Sequence, residues 1–79
     1  MLKSKYKAFE IQDDKVSETV MDGNLIAIAD FIKNCKEGSI ITIDTLDGKP
    51  FLIGMSKLFL YCEDNEFLNN QLIPYLRGM

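Results

Sequence analysis

The chain contains no histidine and no tryptophan, and only two cysteines and two prolines in 79 residues. Its single arginine is Arg77. Without histidine, the commonest general base, the Ser–His and Cys–His nucleophile pairs and most metal sites are missing. The expectation is a non-enzymatic protein with no catalytic residues, no metal and no cofactor. Cys35 and Cys62 form no CxxC pair and have no histidine to complete a zinc shell. They read as small core hydrophobes, reduced and unpaired, in a cytoplasmic protein. Each of the five glycines, Gly23, Gly38, Gly48, Gly54 and Gly78, stands alone, so there is no phosphate-cradling loop or dinucleotide fingerprint. No apolar run is long enough to span a bilayer, and the basic start, Met1 to Lys7, does not lead into one, so no membrane partner is expected.

What the chain does have is 47% hydrophobic and 27% charged residues with a net charge of -3, the make-up of one small globular domain over residues 1–79. A domain this short hides only about 60% of its unfolded surface. With metal and disulfides set aside, very regular packing or a second subunit remains as the stabilising device. Twelve acids against nine bases also remove the broad positive field on which non-specific nucleic-acid binding depends.

Periodicity divides the chain into elements. Tyr6 to Gln12 is strand-like, although Lys3, Lys5 and Lys7 share a face with Phe9 and Ile11 while Tyr6 and Ala8 lie opposite. That parity predicts either a bulge near Ala8 or pairing that begins at Lys7. Asp13-Asp14 is a candidate tight turn that would set Ile11 beside Val16, on a second strand over Lys15 to Met21 supported only by Val16 and Val20. Asn24 is an N-cap ahead of a helix over Leu25 to Lys36, with Leu25, Ile28, Ala29, Ile32 and Cys35 on one stripe and Gly38 as its stop.

From Ser39 the period becomes strand-like, and Asp47-Gly48 predicts a two-residue hairpin turn pairing Leu46 with Lys49, Ile43 with Leu52 and Ile41 with Gly54. A second turn at Ser56-Lys57 would pair Met55 with Leu58, Ile53 with Leu60 and Phe51 with Cys62. A last helix from about Asn65 places Leu68, Leu72 and Leu76 for burial behind an acidic N-terminus, with a break or kink expected before Tyr75 because of Pro74. The expected class is α+β: a three-stranded antiparallel meander, plus an N-terminal strand or hairpin, packed with two helices in the order β(β)αβββα.

In that register one sheet face carries Ile40, Thr42, Asp44, Leu46, Phe51, Ile53, Met55, Leu58, Leu60 and Cys62 and is expected to be the core. The other carries Ile41, Ile43, Leu52, Phe59 and Tyr61 where a monomer's antiparallel sheet usually turns polar. Those five residues are the candidate interaction surface, for a homodimer or another protein partner, unless the N-terminal strands or the last helix fold over it. Two rival readings use charge. One is a nucleic-acid-associated factor working through Lys3, Lys5 and Lys7 with Tyr6 or Tyr61 as a stacking platform, against which stand the acidic balance and the use of lysines to guard edge strands. The other is an acidic inhibitor of a nucleic-acid-binding protein, weakened by nine bases among twelve acids.

Overall fold

Both N-terminal segments form strands, and every strand pairs antiparallel with its neighbours. The computed structural model of the chain describes residues 5–78. Its elements are β1 (Lys5–Gln12), β2 (Lys15–Asp22), α1 (Leu25–Asn34), β3 (Ile40–Thr45), β4 (Pro50–Ser56), β5 (Phe59–Cys62), a π-helical segment (Phe67–Leu72) and α2 (Ile73–Arg77). The sheet order is β2-β1-β3-β4-β5, an α+β architecture in which β3 joins the N-terminal hairpin to the C-terminal meander. Lys3 lies outside the described residues.

β1 pairs without interruption from Lys5 to Gln12, and no bulge occurs at Ala8. Its muddled parity has a simple origin. Glu10 points to the covered face and accepts hydrogen bonds there from the Lys36 backbone N–H (2.8 Å) and the buried Ser39 hydroxyl (2.9 Å), so the carboxylate is satisfied by the loop that follows α1. Asp13-Asp14 closes the hairpin with Ile11 opposite Val16, as the sequence implies.

Asn24 caps α1 by accepting from the Ala27 N–H at 2.9 Å. The helix stops at Asn34, two residues short of the expected end, because Cys35 is already extended and Lys36 donates to Glu10. Gly38 does adopt a left-handed conformation, but in the following loop. Lys57 donates from Nζ to the Lys33 carbonyl at 2.8 Å and so satisfies one open acceptor at the end of α1.

The β3–β4 connection is one residue longer than the Asp-Gly signal suggests. Thr45 and Lys49 close it, with the Thr45 N–H donating to the Lys49 carbonyl at 2.8 Å and the Gly48 N–H donating to the Thr45 carbonyl at 2.9 Å. Gly48 has φ +92°, so the glycine takes the left-handed place that follows the turn, and Leu46 sits in the loop instead of pairing with Lys49. Beyond a bulge between Ile43 and Asp44, the expected pairs Ile43 with Leu52 and Ile41 with Gly54 are both present.

The β4–β5 register is displaced by one. Leu52 faces Cys62, Ile53 faces Tyr61 and Gly54 faces Leu60, so Leu58 moves from the strand to the turn tip. Two contacts account for this. Ser56 Oγ accepts the Leu58 N–H at 3.2 Å, which fixes the turn at Lys57-Leu58. Leu60 also fills the space above Gly54, where an added Cβ would lie 2.7 Å from Leu60 Cδ2.

The last helix runs through Pro74 without breaking, and the irregularity expected there takes the form of a widened turn. Leu72 and Ile73 keep helical backbone angles, and the Ile73 N–H reaches back five residues to the Leu68 carbonyl, widening the turn just before the proline. Asp64 caps the segment by accepting the Phe67 N–H at 3.1 Å. Leu68 and Leu72 are buried, and Leu76 is half-buried.

All the helical segments cover one face of the sheet. The core between the layers joins Ile28, Ala29 and Ile32 of α1 to Ala8, Ile41, Ile43, Leu52 and Cys62 of the strands and to Leu68 and Leu72. Aromatic rings close one end, with Tyr6 4.8 Å from Phe51 and Phe51 5.5 Å from Phe67 between centroids.

Candidate self-association surface

Which sheet face is covered decides what each sequence-derived site residue does, and the assignment by parity is inverted on β3 and at Leu52, Ile53 and Met55 of β4 but holds on β5, where Cys62 is buried and Leu60 packs against the core. Ile41, Ile43 and Leu52 are 0%, 0% and 1% exposed, so they belong to the core and not to a surface. Phe59 and Tyr61 are 71% and 65% exposed, and the shifted register of β5 separates them from those three. The expected core positions Ile53 and Met55 lie on the open face instead, 41% and 65% exposed.

Residues opposite one another on paired strands share a face, so the registers define the open surface row by row. One row crosses all five strands as Glu18, Phe9, Thr42, Ile53 and Tyr61. A neighbouring row runs Val16, Ile11 and Ile40, and alternation along β4 and β5 continues it with Met55 and Phe59. A third begins Val20, Lys7, Asp44 and Pro50. The second row is wholly apolar, the first mixes Phe9, Ile53 and Tyr61 with Glu18 and Thr42, and the third places one base opposite one acid. With strands about 4.8 Å apart and same-face residues roughly 6.6 Å apart, the planar footprint of the first two rows is roughly 300 Å².

Sequence reasoning missed Phe9, Ile11, Val16, Ile40, Ile53 and Met55 as surface residues. A signal for them existed in β3: the set Ile40, Thr42, Asp44 contains two polar side chains, whereas Ile41 and Ile43 are both apolar, so the second set is the better core face.

Tyr6 faces the core side against Phe51, away from Lys5 and Lys7, and Lys5 pairs with Asp22 at 2.6 Å, so the proposed lysine-and-tyrosine platform is split between two faces. Tyr61 remains on the open face. Cys35 and Cys62 are unpaired and buried, and burial is the main cause that pushes both thiols up, Cys35 to about 11. Among the described residues no three His, Cys, Asp or Glu side chains cluster as a metal site, and no helix is long and apolar enough to cross a membrane. No family model, curated protein or solved structure matches the chain.

Proposed function

We propose that the chain is a small cytoplasmic, non-enzymatic interaction module that pairs with a second copy of itself through the open face of its sheet. The observation that carries this reading is one-sided coverage: both helical layers sit on one face, while the other presents Phe9, Ile11, Val16, Ile53, Met55 and Tyr61 in adjoining rows. A footprint of roughly 300 Å² is in the range of the largest apolar patch on a monomer's surface, which is often a functional one. It is also less than half of the ~800 Å² that each partner gives to a standard interface, so the expected dimer is weak, with a dissociation constant in the micromolar range or above. Lys7 opposite Asp44 balances the charges of the third row, which leaves Glu18 on β2 as the acid at the edge of the apolar rows.

Light scattering over a range of concentrations tests this. The wild-type mass is expected to rise towards that of two chains, and Met55→Asp is expected to hold the protein at one chain with its circular dichroism unchanged. A wild type that stays at one chain at millimolar concentration excludes the dimer.

Phe9 and Tyr61 in one open row beside Lys7 support a second reading, stacking of single-stranded nucleic acid on the sheet. Glu18 and Asp44 share that face and oppose it. A gel shift at low salt separates the two: retention that fades steeply with salt favours nucleic acid, and no retention removes it.

A further inference from the structure

A groove of about 650 Å³ lies between the β4–β5 turn, the end of α1 and α2, on the helical side of the molecule, with Phe59 of the open face reaching its edge. This volume falls within the roughly 300–1,000 Å³ of small-molecule sites. Buried Ile32 and half-buried Leu60, Ile73 and Leu76 line it, and exposed Leu58 stands at its rim. Its charged lining residues are Lys33, Lys57 and Arg77. None of the chain's twelve acids lines the groove, although acids outnumber bases in the sequence. The carbonyl end of α1 would ordinarily repel an anion there, but Lys57 already donates to the Lys33 carbonyl at 2.8 Å. Lys33 Nζ lies 5.9 Å from the centre of the Tyr75 ring, and Arg77 forms no ion pair among the described residues.

We propose that this groove binds a long-chain aliphatic carboxylate, the chain lying on Ile32, Leu60, Ile73 and Leu76 and the head group held by Arg77 with Lys33 and Lys57. Apolar walls alone would accept any hydrocarbon. The all-cationic rim selects an anionic head, and the guanidinium of Arg77 matches a carboxylate's two oxygens. An extended peptide adding to the sheet edge fits less well, because β5 has only four residues and offers few outward main-chain groups.

The test is a titration of isotope-labelled protein with dodecanoate below its micelle concentration, followed by amide shifts. Dodecyltrimethylammonium, acetate and phosphatidylglycerol vesicles serve as comparison ligands. Dodecanoate is expected to bind saturably and shift amides of residues 57–60 and 73–77, with the cationic amphiphile at least about tenfold weaker and acetate silent. Arg77→Glu and Leu58→Asp alter exposed side chains, so both should fold, and each should weaken dodecanoate by about tenfold or more. Equal affinity for the cationic amphiphile, unchanged affinity in both variants, shifts confined to the open sheet face, or binding to vesicles alone would each overturn the proposal. Repeating the titration with Ile53→Asp keeps the result independent of self-association, because that substitution lies on the other face.

Discussion

Leu52 and Ile53 are consecutive residues of one strand with opposite fates, so placing aspartate at each in turn tests the inverted sheet assignment. Leu52 is 1% exposed between Ile43 and Cys62, whereas Ile53 is 41% exposed between Thr42 and Tyr61. Removing a buried leucine side chain to alanine costs about 2–5 kcal/mol. An aspartate there adds the several kcal/mol of an unpaired buried charge. A domain of this length has a total stability of only roughly 4–12 kcal/mol, so Leu52→Asp should leave it largely unfolded. Ile53 has hidden little more than half of its surface, worth about 1–2 kcal/mol, and the lower strand preference of aspartate adds up to ~1 kcal/mol. Ile53→Asp should therefore remain folded, with a modestly lower urea midpoint. Far-UV circular dichroism in water and a urea titration of each variant read this directly. An unfolded Ile53→Asp beside a folded Leu52→Asp would refute the face assignment and the surface built on it.

Other consequences follow from particular contacts. Gly54→Val should cost ~1–3 kcal/mol in urea titrations by crowding Leu60, and Leu60→Ala in the same chain should recover part of that loss; additive losses would show that Leu60 does not occupy that space. The Glu10 carboxyl is held below its ordinary value of 4.5, chiefly by the Lys36 N–H and then by the Ser39 hydroxyl. Its stabilising effect should be complete above the unfolded carboxyl's range and fade as pH falls through the lower folded value. The urea midpoints of wild type and Glu10→Gln should therefore differ at neutral pH and converge in acid, and a gap that does not change with pH contradicts the contact. With both thiols raised by burial, iodoacetamide at pH 8 should label Cys35 and Cys62 slowly in the native protein and rapidly in urea; equally fast labelling in both states would show that they are accessible.

The class, the element order and several boundaries were legible because local chemistry dictates them. Asn24 before an apolar stripe specifies a capped helix, and Ile41, Ile43, Leu52 and Gly54 pair as their spacing implies. What escaped were details set by contacts distant in sequence. The β5 offset depends on Leu60 meeting Gly54 across the strand pair, and the early end of α1 depends on Glu10 from β1. Pro74 is accommodated by a wider turn upstream, which residue preferences alone do not reveal. For the surface, sequence parity correctly found apolar side chains on both sides of the meander, but which side the helices cover is a tertiary choice. The polar Thr42 and Asp44 carried the only local hint, and reading them the other way exchanged core and surface for Ile41, Ile43 and Leu52.

The most direct test of the central claim is an isotope-filtered nuclear Overhauser experiment on a millimolar mixture of labelled and unlabelled chains. Cross-peaks between protomers should arise from the side chains of Ile11, Val16, Ile53, Met55 and Tyr61. No interchain cross-peaks, or cross-peaks only from Leu58 and Leu76 on the helical side, would contradict it.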